Sequence, residues 1–153
     1  MGAAAQLQPD TMPKTTPIQA GLDKDAIQAV LDALRFDGDG LVPAIAQQVD
    51  TGEVLMVAWM NRDSIAETLR TGQVYYWSRS RGKLWRKGES SGQTQFLADF
   101  RWDCDADTVL LLVDQKGVAC HTGRRNCFFN AVRDGRPTVI ADVAIDPEDL
   151  YGK

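Results

Sequence analysis

Apolar residues recur at helical spacing early in the chain and gather into short runs after it. Four of them occupy positions i, i+3, i+4 and i+7, and so share one helical face: Ile27, Val30, Leu31 and Leu34. Asp23 or Asp25 stands near the start of this predicted helix, and Gly38 lies beyond its end. The spacing therefore predicts a first amphipathic helix.

The apolar runs that follow are separated by turn residues, which is typical of β-strands. Thr51-Gly52 separates the first two runs and predicts the bend of a hairpin. Asn61 can cap a second helix, which Gly72 would end. The predicted strands are residues 44–49, 53–60, 74–78, 94–100, 109–113 and 127–132.

These elements predict one α+β domain, mainly antiparallel β-sheet with two helices. A chain of 153 residues can bury the core of one domain but is too short for two of ordinary size. Residues 1–20 contain three prolines and little apolar periodicity. We therefore expect a flexible N-terminal tail there and the folded domain in residues 21–150.

Charge and targeting signals narrow the possible classes of protein. The net charge of −4 argues against general affinity for nucleic acid, because phosphate binding normally leaves a basic surface. No segment approaches the apolar length of a membrane span, and the first residues lack the pattern of a secretory signal. We therefore expect a cytoplasmic protein without nucleic-acid or membrane partners.

The three cysteines are the strongest candidates for chemistry. Cys104 lies between two aspartates, and Cys120 precedes His121, the only histidine. Free cysteines can be inert buried residues, but this polar setting favours metal ligation. The spacing from Cys104 through Cys120 to Cys127 is C-x15-C-x6-C, unlike the C-x2-C of closed structural zinc sites. It favours a three-thiolate zinc with an open position, beside which His121 would move protons.

Three aspartates interleave with the first thiol and suit a hard cation such as magnesium. In an extended segment Asp103, Asp105 and Asp107 would share one face, with Cys104 on the other. Four residues of strand cover roughly 13 Å, which is too far for one ion. The segment must therefore bend, or water or a partner chain must complete the shell. The alternative is an ordinary solvated turn.

A basic segment is the candidate for binding phosphate. Residues 79–87 contain five cations, namely Arg79, Arg81, Lys83, Arg86 and Lys87. Arginine suits bidentate phosphate contacts, and Trp77 and Trp85 could stack on a base. The alternative is a solvated basic loop with both tryptophans in the core. Arg124 and Arg125, inside the thiol segment, could bring a phosphate near the metal.

Several blocks of this sequence resemble the motifs of the phosphoribosyl-AMP cyclohydrolase family. They are G-L-V-P-A-I-A-Q, T-G-E-V-L-M-V-A-W-M-N, Y-W-S-R-S-R, L-W-R-K-G-E-S-S-G, D-C-D-A-D and A-C-H-T-G-R-R-N-C-F-F. The resemblance spans about residues 36–130. Three positions depart from the family pattern, namely Gln93, Val118 and Asn126, and none of them is a proposed ligand.

The resemblance implies hydrolytic opening of the adenine ring of phosphoribosyl-AMP at N1–C6, with a zinc-activated water, in L-histidine biosynthesis. By motif it places zinc at Cys104, Cys120 and Cys127, magnesium at Asp103, Asp105 and Asp107, and the family's histidine at His121. It also implies an intertwined homodimer with one zinc per subunit, shared between chains. The spacings alone leave open whether one chain or two supply the ligands.

Two other functions compete with this interpretation. Zinc-dependent nucleobase deaminases typically pair H-x-E with P-C-x-x-C, and neither motif occurs here. A non-catalytic, zinc-stabilised module for nucleotides or RNA would suit the basic segment and the tryptophans. The net charge and the open zinc position argue against it.

Overall fold

The first helix begins and ends through local hydrogen bonds. In the computed structural model, which describes residues 21–151, α1 (Lys24–Ala33) starts where an Asp23 carboxylate oxygen accepts from the Ala26 N–H at 2.8 Å. It ends at an extended Leu34, before Gly38, and buries Leu34 in the core. The first predicted helix is therefore confirmed. The predicted tail, residues 1–20, lies outside the described residues.

The second helix, α2 (Arg62–Thr71), has both predicted ends. The Asn61 side chain accepts from the Ser64 N–H at 2.8 Å, and the Ser64 hydroxyl accepts from the Asn61 N–H at 2.9 Å. Gly72 then adopts a left-handed conformation, with φ of 79°. This reciprocal cap and the glycine end are local signals, which explains why sequence alone locates this helix.

Six strands form one sheet in the order β4-β3-β2-β1-β6-β5. They are β1 (Val42–Gln48), β2 (Val54–Met60), β3 (Tyr75–Ser78), β4 (Lys83–Arg86), β5 (Gln95–Trp102) and β6 (Val109–Gln115). The β1–β2 hairpin bends at Thr51-Gly52, as predicted. Four of the five neighbouring pairs are antiparallel, but β1 and β6 run parallel. The sheet is therefore mixed, because the alternation of buried residues does not specify the direction of a neighbouring strand.

The sheet curls until its two sides meet. Gln73, just before β3, forms a bridge with Phe96 of β5. The Val74 N–H donates to the Gln95 carbonyl at 3.0 Å, and the Leu97 N–H donates to the Gly72 carbonyl at 2.7 Å. This curl encloses a core to which α1, α2 and the inward faces of the strands contribute.

Four described elements differ from the sequence prediction. β4 lies inside the basic segment, where no strand was expected. The last predicted strand begins later, as β7 (Asn130–Arg133), and pairs with β8 (Arg136–Val139) in a separate two-stranded sheet. A short third helix, α3 (Pro147–Tyr151), adds to the two predicted ones. The exposed, mixed composition of these elements gives no clear apolar period.

None of the helices in residues 21–151 is long and apolar enough to cross a membrane. The predicted domain limits, residues 21–150, stay a prediction.

Candidate metal and active site

The three aspartates occupy the turn between β5 and β6. The chain bends there through Ala106, whose φ is 64°, and is not extended. An Asp103 carboxylate oxygen accepts from the N–H groups of Asp107 and Thr108, at 3.0 and 3.2 Å. Ligand oxygens of Asp103, Asp105 and Asp107 consequently lie within 4.8 Å of one another. The bend that an ion would require is therefore present, and all three residues are exposed.

The carboxylates of this turn strongly influence one another. The pKa of Asp107 is raised above its ordinary value. The largest cause is a hydrogen bond with Asp105, and desolvation and repulsion from the charges of Asp105 and Asp103 add to it. Desolvation acts to raise the pKa of Asp103, but the backbone N–H groups of Asp107 and Thr108 hold that pKa below its ordinary value. Carboxylate oxygens are hard donors of the kind that magnesium binds, and here three carboxylates offer them within one turn.

Cys120 and Cys127 form a thiol pair at the other end of β6. Cys120 is buried and Cys127 is exposed, and the two thiols lie close enough for Cys120 to raise the pKa of Cys127. The Cys127 N–H donates to the Leu55 carbonyl of β2 at 2.8 Å, and the Thr122 hydroxyl donates to the Cys120 sulfur at 3.0 Å. The pKa of the Cys127 thiol is raised to about 11, mainly by desolvation. Cys120 adds to this shift through its charge and through a hydrogen bond. Two soft donors this close can both bind one zinc.

Arg125 holds the loop between the two thiols. Its Nε donates to a Glu53 carboxylate oxygen at 3.1 Å, and one terminal nitrogen donates to the Gln48 side-chain oxygen at 2.9 Å. The other terminal nitrogen donates to the Gly117 carbonyl. The Asn126 amide donates to the second Glu53 oxygen at 2.7 Å. The guanidinium is therefore occupied by the protein itself.

Arg124 is directed at the protein as well. Its Nε donates to the Ala141 carbonyl at 2.8 Å, and its guanidinium carbon lies 4.1 Å from the centre of the Phe129 ring. All three guanidinium nitrogens of Arg125 have protein partners, whereas at Arg124 only Nε makes a hydrogen bond within the described residues. The phosphate contacts predicted for both arginines stay predictions.

Glutamines hold the segment that leads to Cys120. The Gln115 side-chain nitrogen donates to the carbonyls of Lys116 at 2.8 Å and of Gln93 at 3.1 Å. The Gln93 side-chain oxygen accepts from the Val118 N–H at 3.0 Å. A Cβ on Gly117 would lie only 1.6 Å from that oxygen, so the contact requires glycine.

Sequence reasoning missed Glu53 and the glutamines Gln48 and Gln115. A usable signal was present, because Gln48 continues the inward-facing positions of β1 after Val42, Ala44 and Ala46. A polar side chain at an inward position needs hydrogen-bond partners, and here the partners include Arg125.

The basic segment divides into inward and outward side chains. Lys87 is directed inward, and its ammonium donates to the Ala119 carbonyl at 2.5 Å. Desolvation lowers the pKa of Lys87, while the nearby Cys127 and Cys120 thiols act to raise it. Arg79 lies over the Trp59 ring at 4.6 Å, and Arg81 and Lys83 are exposed.

Trp77 and Trp85, the two predicted stacking residues, each lie between the core and the protein surface. Trp77 and Trp85 line a groove of about 460 Å³ together with Trp59 and Arg79. The Trp85 ring also packs against Tyr76, with 5.2 Å between ring centres. Both tryptophans are half-buried, so each combines the predicted core role with an accessible ring edge or face.

Cys104 is separated from the thiol pair. It lies exposed in the turn before β6, whereas Cys120 and Cys127 follow the end of that strand. The seven residues of β6 span roughly 20 Å. Two sulfurs on one zinc lie at most about 4.6 Å apart, since each Zn–S bond is about 2.3 Å. Within residues 21–151, the aspartates form the sole cluster of three potential ligands. His121 is exposed beside Cys120.

The α+β domain thus carries a pair of thiols, a cluster of carboxylates and a histidine next to one of the thiols. These groups are typical of a metal-dependent hydrolase. Comparison with known proteins agrees, since residues 56–129 match the family model described as phosphoribosyl-AMP cyclohydrolase. A protein of that name from Rhodospirillum centenum is 69% identical over 127 residues, covering 83% of this chain and 96% of that protein. Namesakes from Paramagnetospirillum magneticum and Magnetococcus marinus are 66% and 64% identical, covering 82% and 80% of this chain and 95% of each relative.

The chain therefore belongs to the phosphoribosyl-AMP cyclohydrolase family, enzymes of histidine biosynthesis.

Proposed function

We propose that this chain opens the adenine ring of phosphoribosyl-AMP by hydrolysis of the N1–C6 bond, at a site that two copies of the chain assemble together. Family membership supports the reaction. The observation that carries the shared site is the position of Cys104 and the thiol pair at opposite ends of β6. One copy would supply Cys104, and the other Cys120 and Cys127.

Exposed apolar surface supports a homodimer. The β7–β8 hairpin does not join the main sheet, and an isolated two-stranded hairpin is marginally stable in water. It nevertheless exposes Val132 by 72% and Val139 by 56%. Phe128, directly after Cys127, is exposed by 52%. Burial of this surface against a second copy would stabilise the hairpin and bring a partner close to the thiol pair.

The residues present fit the two metals. Buried Cys120 and exposed Cys127 beside it offer paired soft donors for zinc, and the aspartate turn offers clustered hard oxygens for magnesium. A zinc ion bound there would supply Lewis acidity and lower the pKa of water toward neutral. Magnesium on the aspartates would offset phosphate charge near that wall of the site.

The protein's own groups would orient the substrate and move protons. The ribosyl group on N1 leaves the adenine ring amidinium-like, so C6 is the electron-poor atom that water attacks. His121, exposed next to Cys120, would take the proton of the attacking water and return one to the departing N1. Trp77 and Trp85, in the groove with Arg79, would pack against the purine.

The basic residues would have separate roles. Arg79, Arg81 and Lys83 remain candidates for phosphate contact, because they line a groove or are exposed. Arg125 would hold the thiol loop, Arg124 would hold the segment after the loop, and Lys87 would place a positive charge beside the two thiols. A cation there favours thiolate over thiol and hence zinc binding.

Complementation between inactive variants tests the shared site. We expect Cys104→Ser and Cys120→Ser each to lose zinc and turnover when purified alone. Unfolded and refolded together, the two variants form about half mixed dimers, each with one intact site, so about a quarter of wild-type turnover should return. Turnover is followed by the ultraviolet change of ring opening, and zinc by elemental analysis.

The matched control mixes Cys120→Ser with Cys127→Ser, which would damage the same half of the site. In a shared site this mixture restores nothing, because every site in its mixed dimers lacks one ligand of the pair. A mixture of Cys104→Ser and Cys120→Ser that also stays inactive would reject the two-chain arrangement. Full turnover by zinc-free wild-type protein would reject the zinc assignment.

A further inference from the structure

A small pocket lies beside the end of β4 and shares only Trp85 with the groove lined by Trp59, Trp77 and Trp85. It has a volume of about 130 Å³, and its walls include Arg81, Arg86 and Lys87 on one side and Ser90 and Ser91 on the other. Complete small-molecule sites usually occupy several hundred Å³. The pocket shares most of its wall, including Arg86, Ser90 and Ser91, with a wider cavity of about 830 Å³. Its dimensions therefore suit one small group of a ligand that is larger than the pocket itself.

The loop that forms one wall is held in shape by its own backbone. The Gly92 N–H donates to the Gly88 carbonyl at 2.8 Å and closes the loop. Gly88 has φ of +87°, and a Cβ there would lie 2.6 Å from backbone atoms of Gln93 and Thr94. Glycine is thus required at residue 88, where the loop folds back on the start of β5.

This loop presents hydrogen-bond donors without protein acceptors. Among residues 21–151, no protein group accepts from the backbone N–H groups of Ser90 and Ser91. The Ser90 hydroxyl likewise makes no hydrogen bond with the described residues, and Ser90 is exposed. Consecutive free N–H groups in a tight glycine-bounded loop form a concave site for an anion.

The charge of the pocket is positive in an otherwise acidic chain. Arg81 has no carboxylate partner among the described residues, and Arg86 donates to the neutral Gln73 amide oxygen at 2.9 Å. Glu89 is the carboxylate at the rim, and one of its oxygens accepts from the Arg86 N–H at 2.8 Å. Arg81 and Arg86 therefore line the pocket with one hydrogen-bonded carboxylate, while the ammonium of Lys87, also in the wall, is directed at the Ala119 carbonyl. This balance favours a phosphate group.

We infer that the pocket between Arg81, Arg86 and the Gly88–Gly92 loop binds a phosphate monoester of the substrate. The inference rests on the proposed function, since phosphoribosyl-AMP carries two such groups, one on AMP and one on the added ribose. Lys87 connects the pocket to the reacting centre, because it lines the pocket while its ammonium contacts Ala119, next to Cys120. A phosphate held there would anchor the substrate near the thiol pair.

A pair of near-isosteric variants tests the pocket. Ser90→Asp adds a negative charge to the loop, whereas Ser90→Asn keeps nearly the same shape without charge. We expect Ser90→Asp to raise KM for phosphoribosyl-AMP at least about tenfold, with kcat and zinc content within about twofold of wild type. Ser90→Asn should raise KM far less. Arg81→Ala should also raise KM, whereas Arg70→Ala on α2, the matched control, should not.

Binding of simpler phosphates distinguishes the two ends of the substrate. AMP and ribose 5-phosphate are titrated separately into wild-type and Ser90→Asp protein by calorimetry. Weaker binding of AMP alone assigns the pocket to the adenosine phosphate, and weaker binding of ribose 5-phosphate alone assigns it to the ribosyl phosphate. Unchanged affinity for both probes together with an unchanged KM would overturn the inference. Absence of turnover in the wild type would reject the proposed function, while the two titrations would still decide the pocket.

Discussion

The two groups of candidate ligands differ in how the fold holds them. The aspartate turn with Cys104 is exposed, and most of its hydrogen bonds join residues within the turn. One bond comes from outside, from the Arg35 N–H to the Ala106 carbonyl at 2.7 Å. The thiol pair lies at the opposite end of β6, with Cys120 buried and Cys127 tied to β2. Charged and amide side chains at the ends of four strands converge on that loop, namely Gln48, Glu53, Lys87 and Gln115.

The candidate site therefore has two halves. The thiol pair is the preorganised half, and the aspartate turn with Cys104 is the exposed half. A ligand pair held by hydrogen bonds from distant strands keeps its geometry before metal binds. The exposed turn depends mainly on local bonds, and Cys104 within it is exposed. This is the arrangement expected if each copy provides a firm thiol pair and receives the third ligand from its partner.

The largest effect on turnover should come from His121, the proposed proton-transfer group beside the thiol pair. We expect His121→Asn to lower kcat by about 10²- to 10⁴-fold, because general acid–base catalysis contributes about that factor. Zinc content should not change, since His121 is not a proposed ligand. Single-turnover kinetics with elemental analysis provides the measurement, and a kcat equal to that of wild type would reject the role.

The next effect should come from the support of the thiol loop. Glu53→Gln weakens the contacts with Arg125 and Asn126, so we expect zinc affinity to fall about 10- to 100-fold. Competition with a chromophoric chelator measures that affinity. The matched control is Asp99→Asn, which weakens the 2.7 Å pair with Arg101 on β5 and makes no contact with Arg125 or Asn126. Equal zinc affinity in both variants would show that Glu53 does not hold the loop.

A pH titration tests whether the surroundings of Cys127 disfavour its thiolate. In zinc-free Cys104→Ser protein, we expect Cys127 to ionise with a pKa of about 11, against 9.0 for an ordinary thiol. The folded state retains this proton while the unfolded chain loses it. The stabilisation is therefore complete below about pH 9 and disappears as the pH rises through 11.

Thiolate absorbance and urea unfolding at several pH values provide the measurements. A further Cys120→Ser change removes the neighbouring charge and hydrogen bond, so the pKa of Cys127 should fall toward its ordinary value. If Cys127 already ionises near pH 9 while Cys120 is still present, its surroundings do not raise its pKa, and this prediction is wrong.

The smallest effect should come from the exposed half. Asp107→Asn removes a carboxylate whose pKa is raised by Asp105 and by repulsion, so the unfolding midpoint should stay unchanged or rise slightly. The dependence of turnover on magnesium should weaken. Asp142→Asn, at another exposed carboxylate, serves as the control. The same magnesium titration curve for both variants would remove the aspartates from the site.

Local signals account for the part of the fold that sequence predicts well. The Asn61 cap, the Gly72 end and the Thr51-Gly52 bend each depend on residues close in the chain. The parallel β1–β6 pair is different, because residues about 65 positions apart decide it. The strand predicted over residues 127–132 overlaps β7, but β8 and its pairing with β7 escaped prediction, since these exposed strands lack a regular apolar alternation.

The candidate site shows the same division. The residue types of the thiols and aspartates suggested zinc and magnesium before any geometry was known. The inward direction of Arg125 and Lys87 could not be predicted, because their partners Glu53 and Ala119 are 72 and 32 residues away in the chain.

The sequence by itself determined the donor chemistry, the helix ends and the family, since these depend on residue identity and short spacings. Only the tertiary structure decided which donors meet. By pairing β5 with β6 and β6 with β1, it brought the three aspartates together and placed Cys104 a full strand length from Cys120. The physical reason is that a strand is stiff and extended, so ligands at its two ends cannot share an ion within one chain.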